Sequence, residues 1–174
     1  EIRKLLSKKG FSEWTGTSDT ETLLVAFSIL GFENTLKIII GMFSLALYDE
    51  KSKKVYLARD RAGEKPLFFY SDKSSFIFAS ELKAIFTNKK IDLKLSPNAF
   101  NQFLENGFVS GNSCIVKNFN KLESGHFAYI DLNNGEITTK KYWELPKYQS
   151  ISISHQLNKE LIDELYYLLN QSIE

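Results

Sequence analysis

Few side chains in the 174-residue chain have the types and spacing that nucleophilic catalysis requires. Cys114 stands between small and apolar residues, with no histidine nearby in the sequence. A free cysteine in such surroundings is usually a small buried hydrophobic residue, so we do not interpret it as a nucleophile. His126 follows Gly125 at the start of a predicted strand, where we expect a hydrogen-bonded structural residue rather than a base. His155 falls in a predicted linker or helix cap.

Asp19 leaves a structural and a functional interpretation open, whereas Asp60 has only a structural one. Asp19 lies in the first turn of a predicted helix, where the helix dipole stabilises a carboxylate without any ligand. The same carboxylate could hold an ammonium group brought to that helix end, although composition and spacing alone favour the structural role. Asp60 lies in Arg59-Asp60-Arg61 at a predicted strand end, and a glycine and a proline follow within 62–66. We interpret this segment as an ion-paired turn that leads into the next strand.

Composition argues against several other classes of site. The 22 Lys and Arg residues nearly balance the 21 Asp and Glu residues, so a net charge of +1 offers no basic surface for nucleic acid. One cysteine excludes an intramolecular disulfide, and with only two histidines besides, a zinc site is not expected. No Gly-rich phosphate loop precedes a lysine. No apolar run approaches the roughly 20 residues of a membrane span, and we take the cytoplasm as the expected compartment.

Helices and hairpins follow one another in an order that predicts an α+β sandwich. Ser18 and Glu21 have the spacing of a capping box, so we expect a helix from this point to Gly31. The other predicted helices are one ended by Gly10, one over 33–39, one capped by Ser80, one from Ser96-Pro97, and a last one from His155 striped by Leu157, Leu161, Leu165 and Leu168. The predicted hairpins pair 42–48 with 55–58, 67–70 with 76–79, and 127–131 with 137–143, the last around Asn133-Asn134-Gly135.

Four segments in series resemble one known family. They read Gly-Thr-Ser-Asp-Thr-Glu-Thr-Leu-Leu at 16–24, Gly-Met-Phe-Ser-Leu-Ala-Leu-Tyr-Asp at 41–49, Leu-Ala-Arg-Asp-Arg-Ala-Gly-Glu-Lys-Pro-Leu at 57–67 and Ala-Ser-Glu-Leu-Lys-Ala at 79–84. In this order and spacing they resemble the class II glutamine amidotransferase domain of glutamine-hydrolysing asparagine synthetases. The segment 121–126 is similar to the family's Leu-Pro-Pro-Gly-His turn, with Glu and Ser replacing both prolines. Tyr142-Trp143 resembles the pair that closes the family's domain.

The resemblance implies the fold of N-terminal-nucleophile hydrolases, a four-layer αββα sandwich with antiparallel sheets. It implies a partial amidotransferase domain over 1–146, followed over 147–174 by a linker and the first helix of an asparagine-synthetase-type ATP-dependent domain. The family's nucleophilic Cys and its oxyanion-hole Asn-Gly-Glu segment would precede Glu1, so we expect the chain alone to be inactive. ATP and Mg would bind beyond Glu174, with no cofactor or metal in the chain itself.

Asp19 is the one substrate-binding residue that the resemblance transfers to this chain, as the carboxylate that binds the α-ammonium group of glutamine. Asn134-Gly135-Glu136 spells the oxyanion triplet but lies far too late in the chain, so we assign it to the third hairpin turn. The implied reaction is glutamine hydrolysis, with ammonia passing through a tunnel to an ATP-activated aspartate in the protein's own C-terminal synthetase domain. The resemblance leaves open whether the protein forms a homodimer.

Two other functions stay open at this point. The acceptor is chosen by the synthetase domain, so the glutaminase could serve the amidation of another carboxylate, such as a sugar acid. A domain without its nucleophile could instead be a non-catalytic dimerisation or regulatory module. Glucosamine-phosphate synthase and the purine-pathway amidotransferase share the class II fold, but they fit less well with Gly-Glu-Lys-Pro-Leu at 63–67 and the closing Tyr-Trp.

Overall fold

A computed structural model describes residues 1–72, 75–88, 91–147 and 159–173. The chain divides into two compact units, 1–144 and 145–174. The helices of the first unit are α1 (Ile2–Lys8), α2 (Asp19–Leu30), α3 (Phe32–Ile38), α4 (Leu82–Phe86) and α5 (Pro97–Asn106). Its strands are β1 (Ser44–Asp49), β2 (Lys54–Arg59), β3 (Phe68–Ser71), β4 (Phe76–Ala79), β5 (Asn120–Lys121), β6 (His126–Asp131) and β7 (Ile137–Lys141). The second unit contains α6 (Lys159–Ile173).

Two antiparallel sheets form the centre of the first unit. One sheet has the strand order β1-β2-β6-β7, and the other has the order β4-β3-β5. Successive side chains of a strand point to opposite faces, so every second residue of β2 and β6 faces the smaller sheet. Leu57 and Ala128 therefore pack with Leu67, Phe69 and Leu122 in a buried cluster between the sheets.

Helices cover the outer face of each sheet. On the four-stranded sheet, Leu36 of α3 packs with Ala58 and Phe127, the residues of β2 and β6 that point away from the other sheet. On the three-stranded sheet, Ile85 of α4 belongs to a buried cluster that packs against Phe68 of β3. The layers therefore run helix, sheet, sheet, helix, which confirms the αββα sandwich predicted from the sequence.

Most of the predicted elements are present with ends shifted by a few residues. The three predicted hairpins are β1–β2, β3–β4 and β6–β7. α5 begins as predicted, with Pro97 in its first turn and the Ser96 hydroxyl accepting a hydrogen bond from the Ala99 N–H at 3.5 Å. The last predicted helix is confirmed from Lys159 onward. Its predicted start, with His155 and Leu157, and the predicted linker beyond residue 147 lie outside the described residues.

The capping box predicted at the start of α2 is only half formed. The Ser18 hydroxyl accepts a hydrogen bond from the Thr20 N–H at 3.1 Å, as a helix cap should. The Glu21 carboxylate does not complete the box. It accepts a hydrogen bond from the Thr15 N–H at 2.7 Å and forms an ion pair with Arg3 at 3.2 Å. The ion pair and the loop N–H groups therefore replace the expected contact with the backbone of Ser18.

Two further local features differ from the sequence prediction. Ser80 does not cap α4, because the helix begins after Glu81 without any side-chain cap. The Ser80 hydroxyl lies instead 3.1 Å from the Ser44 hydroxyl, which connects the end of β4 to the start of β1. β5 was not predicted, because a strand of two residues is too short to show the alternation of apolar and polar side chains.

Candidate functional site

The Asp19 carboxylate stands at the N-terminal end of α2, where the sequence predicts it. Its Oδ1 atom accepts a hydrogen bond from the Thr20 N–H at 2.8 Å, and the residue is exposed. The first turn of a helix presents free N–H groups and a partial positive charge, and both make it a suitable place for an acidic side chain. The carboxylate is thus anchored by the helix and accessible to a ligand.

Asp19 lines two clefts that share part of their walls. One cleft, of about 370 Å³, lies between α2 and β1 and is also lined by Leu23, Phe43 and Lys65. The other, of about 440 Å³, is lined by Arg3 as well as by Asp19, Leu23 and Phe43. The first cleft combines one carboxylate and one lysine with a largely apolar wall, an arrangement that can hold a small amino acid with charged groups of both signs.

Asp60 is only 1% exposed, and it fixes two residues of the 370 Å³ cleft. Its Oδ2 atom accepts hydrogen bonds from the N–H groups of Lys65 at 3.0 Å and Phe43 at 3.3 Å, while Oδ1 accepts from the Glu64 N–H at 2.9 Å. Burial works to raise the pKa of Asp60, but the surrounding N–H groups, led by that of Lys65, outweigh it and lower the pKa below its usual value. The ionised Asp60 side chain therefore holds the cleft wall through the backbone N–H groups of Phe43 and Lys65.

Arg59 is held by carbonyl oxygens instead of a carboxylate. Its guanidinium donates to the carbonyl oxygens of Lys65 at 2.8 Å, Leu122 at 2.7 Å and Gly63. Among the described residues, neither Arg59 nor Asp60 forms a salt bridge, so the ion-paired turn predicted from the sequence is wrong. The turn itself offers N–H groups to the carboxylate and carbonyl groups to the guanidinium, and these backbone contacts take the place of the ion pair.

The closing Tyr-Trp pair is attached to the same turn. The Tyr142 hydroxyl donates to the Arg59 carbonyl oxygen at 2.8 Å, and burial, followed by the charge of Asp60, raises the pKa of Tyr142 to about 12. The N–H groups of Tyr142 and Trp143 both donate to the Gly125 carbonyl oxygen, at 2.9 and 3.1 Å. Gly125 has φ +66°, and a Cβ atom there would lie 2.5 Å from the Trp143 carbonyl oxygen, so only glycine fits.

The other chemical candidates have structural roles. Cys114 is 4% exposed within the cluster behind the three-stranded sheet, and burial raises the pKa of its thiol, which confirms the interpretation as a buried hydrophobic residue. The Nδ1 atom of His126 lies 2.8 Å from the Ser124 carbonyl oxygen, as expected of a hydrogen-bonded structural histidine. Asn134 lies in the β6–β7 turn and accepts a hydrogen bond from the Glu136 N–H at 2.9 Å, which confirms the turn assignment of this triplet.

Arg3 and Glu21 are residues near Asp19 whose contribution the sequence analysis missed. Together they enclose the loop that leads into α2, and Arg3 lines one of the two Asp19 clefts. Glu21 was assigned to a helix cap because of its spacing from Ser18, and no comparable rule relates Arg3 to a partner 18 residues away. The contact becomes visible only once α1 packs beside α2.

Comparison with known proteins identifies the family. The model of the glutamine amidotransferase domain family matches residues 1–143. The chain belongs to this family. The chain is 36% identical over 173 residues to the protein named "Putative asparagine synthetase (glutamine-hydrolyzing) 2" of Methanocaldococcus jannaschii, a match covering 98% of the chain and 32% of the relative. It is 35% identical over 139 residues to asparagine synthetase (glutamine-hydrolyzing) 2 of Bacillus subtilis, covering 74% of the chain and 18% of the relative.

The amidotransferase domain also resembles a solved structure. Glutamine phosphoribosylpyrophosphate amidotransferase from B. subtilis, complexed with ADP and GMP, matches with a TM-score of 0.52 at 17% identity, covering 82% of this chain and 26% of that one. At this identity the likeness bears on the fold alone, and it agrees with the αββα layers. The chain spans about a third of the length of the M. jannaschii relative.

Three further observations concern other types of site in the described part of the amidotransferase domain and α6. No described helix is long and apolar enough to cross a membrane. The described residues contain no group of three or more His, Cys, Asp or Glu side chains that could hold a metal ion. A cleft of about 490 Å³ beside β5 and β7 is larger than the first Asp19 cleft, but it contains neither Asp19 nor the turn that Asp60 holds.

Proposed function

We propose that this domain hydrolyses glutamine and supplies the ammonia for the ATP-dependent amidation of aspartate, as the glutaminase part of an asparagine synthetase. The observation that carries the proposal is the family match over residues 1–143, with the Asp19 carboxylate held at a helix start beside an accessible cleft. Both relatives described above have names that specify glutamine-hydrolysing asparagine synthetases, which supports this acceptor over other carboxylates.

In the proposed reaction, Asp19 binds the α-ammonium group of glutamine. The carboxylate is exposed and is oriented by the Thr20 N–H, so it needs little reorganisation when the ligand arrives. The nucleophilic Cys and the oxyanion donors that attack and stabilise the side-chain amide would precede Glu1 in the whole protein. We assign no step of bond cleavage to the residues of this chain. Their part is to bind and orient the amino-acid end of the substrate.

The amidation step would use a second domain of the same protein. We assign residues 147–174 to the linker and first helix of that domain, and we place the ATP and Mg site beyond Glu174. We expect the whole protein to work in the cytoplasm. The match to the M. jannaschii relative extends over 98% of the chain and so includes α6, which supports this assignment.

Asp19→Asn in the full-length protein tests the proposal. A charge-assisted hydrogen bond contributes about 1.5–3 kcal/mol, so the kcat/KM for glutamine should fall roughly ten- to a hundredfold. Synthesis with free ammonia should continue at nearly the wild-type rate, because ammonia bypasses the glutamine site. Fold should persist, since the Ser18 cap is untouched.

Glu33→Gln is the matched control, because Glu33 is a carboxylate in the first turn of α3 and so experiences a comparable helix dipole. It should leave both nitrogen sources unaffected. Unchanged glutamine kinetics in Asp19→Asn, or an equal fall with glutamine and with ammonia, would refute the assigned role. Glutamine-dependent amidation of a carboxylate other than aspartate would leave the glutaminase role intact and correct only the acceptor.

A further inference from the structure

The loop of residues 15–18 that leads to Asp19 is enclosed by one arginine and one glutamate. Arg3 donates from Nη1 to the Gly16 carbonyl oxygen at 2.7 Å and from Nη2 to the Ser18 carbonyl oxygen at 2.9 Å. Glu21 accepts from the opposite kind of group, the N–H of Thr15 at 2.7 Å and the N–H of Gly16 at 3.1 Å. The loop therefore has its carbonyl oxygens fixed by a cation and its N–H groups fixed by an anion.

The two side chains are themselves held in place. Arg3 donates from Nε to the Thr22 hydroxyl at 2.8 Å, and its guanidinium carbon lies 4.2 Å from the centre of the Trp14 ring. Nη2 of Arg3 forms the ion pair with Glu21 at 3.2 Å. The hydrogen bond from the Thr15 N–H contributes most to lowering the pKa of Glu21, so the network stabilises the ionised form of the glutamate. α1, the loop and α2 are thus joined by one network.

We propose that Arg3 and Glu21 are positioning residues that hold the 15–18 loop, and through it the Asp19 carboxylate, in the geometry that binds the amino-acid substrate. The Ser18 carbonyl group, which Arg3 fixes, belongs to the peptide that precedes Asp19. Thr17 of the loop lines the same 440 Å³ cleft as Asp19 and Arg3. The inference rests on the proposed glutaminase function and adds the residues that prepare its substrate site.

The reason is the cost of ordering. A loop that is already fixed loses little conformational freedom when a ligand arrives, whereas a loosened loop must be ordered at the expense of affinity. Loss of the network should therefore weaken substrate binding and leave the rate at saturation nearly unchanged, because these side chains contribute no group to the reacting amide. That division between KM and kcat separates positioning from a general loss of folded protein.

Arg3→Lys and Glu21→Gln in the full-length protein are the first two test variants. Each should raise the KM for glutamine about three- to tenfold, with kcat within about a factor of two and ammonia-dependent synthesis unchanged. Thr15→Val is a milder third variant, because it removes only the hydroxyl that donates to Glu21 at 2.8 Å. It should raise the KM by about twofold, and it keeps the test valid if the charged residues cannot be replaced without unfolding.

Lys54→Gln is the control for a merely structural effect. Lys54 also forms an ion pair, with Asp131 at 3.8 Å, and lies 4.9 Å from the centre of the Tyr129 ring, and this pair has nearly the same exposure as Arg3 and Glu21. It stands at the far end of β2 from the Asp60 turn. Lys54→Gln should lower the melting temperature by about as much as Arg3→Lys and Glu21→Gln do. Unlike those two variants, it should leave the KM for glutamine unchanged.

Combination with Asp19→Asn makes the inference decisive. If Arg3 and Glu21 act through Asp19, Glu21→Gln should raise the KM by less than a factor of about two in the Asp19→Asn background, since coupled residues are not additive. A full effect in that background, or a normal KM in Arg3→Lys, Glu21→Gln and Thr15→Val, would overturn the positioning role. If Asp19→Asn itself leaves glutamine use unchanged, the fault lies with the proposed function and not with the loop.

Discussion

Replacing Asp60 with asparagine should destabilise the first unit by about 3–5 kcal/mol. The asparagine side chain has one acceptor oxygen, so it can keep the two hydrogen bonds from Lys65 and Phe43 only if its amide group faces the Glu64 N–H. A donor then meets a donor, and the bond to Glu64 is lost. Hydrogen bonds to a charged group contribute about 1.5–3 kcal/mol and neutral ones about 0.5–1.5, so one bond is lost and two are weakened by about 1 kcal/mol each.

The loss should depend on pH in a defined direction. The folded state lowers the pKa of Asp60, so its carboxylate contributes stability that is fully present above the unfolded-state value of about 3.9. That contribution disappears as the pH falls through the folded-state pKa. The difference in unfolding free energy between wild type and Asp60→Asn should therefore be constant above about pH 5 and shrink below about pH 4, because asparagine does not titrate.

Thermal and denaturant unfolding followed by tryptophan fluorescence would measure both effects. For a domain of this size the melting temperature should fall by roughly 6–20 °C at neutral pH. Asp49→Asn is the control, since Asp49 also accepts hydrogen bonds from two backbone N–H groups and a hydroxyl, but in the partly exposed β1–β2 turn. Water can replace those partners, so its loss should be much smaller. Equal losses in the two variants, or a wild-type melt for Asp60→Asn, would refute the reasoning.

Two more predictions concern the contacts around that turn. Gly125→Ala should cost at least about 3 kcal/mol, because a left-handed residue with a Cβ atom is strained by about 1–2 kcal/mol and that atom would meet the Trp143 carbonyl oxygen at 2.5 Å. Gly135→Ala, at φ +74° with open space around it, should show only the strain in the same denaturant titration. Tyr142→Phe should lower the unfolding free energy by about 0.5–1.5 kcal/mol. In wild type the pKa of Tyr142 is raised to about 12, so its contribution is complete below about pH 10 and is lost as the pH rises through 12. An ultraviolet titration of Tyr142→Phe should lack this late ionisation.

Sequence patterns predicted the layers better than the local contacts. Hairpins and amphipathic helices leave a periodic signal within a few residues, and the pairs β1–β2, β3–β4 and β6–β7 were found in this way. The Glu21 and Ser80 contacts could not be predicted similarly. Each side chain could form either a local helix cap or a contact with a residue distant in sequence. Ser80, for example, contacts Ser44, which is 36 residues away. Only tertiary packing decides such a choice.

Only the part of the site that the family resemblance specifies could be predicted from the sequence. Asp19 was named from its motif, and its exposed place beside a cleft agrees with that assignment, although its role as a glutamine ligand stays a prediction. Asp60 was interpreted as half of an ion pair, because adjacent Arg and Asp residues favour that interpretation in any sequence. Its three backbone donors include one from Phe43, 17 residues away, and no motif specifies such a partner.

Most of the segments that carry the family resemblance build the cleft and do not supply the proposed glutamine ligand. Of the four segments that carry it, 16–24 supplies the proposed ligand, Asp19. The second, 41–49, forms β1 and gives the Phe43 N–H to Asp60, which belongs to the third segment, 57–67. The fourth, 79–84, reaches β1 through Ser80.

Replacing motif residues of this kind would lower glutamine use by loosening the cleft wall, although these residues make no contact with the substrate. A fall in glutamine-dependent activity is therefore weak evidence that a motif residue binds glutamine. Asp60→Asn should reduce the melting temperature together with glutamine use, whereas Asp19→Asn should reduce glutamine use at an unchanged melting temperature. Measuring both quantities in both variants separates the residue proposed to bind the substrate from the residue that builds its site. A reversed pattern would show that the two roles had been assigned to the wrong carboxylates.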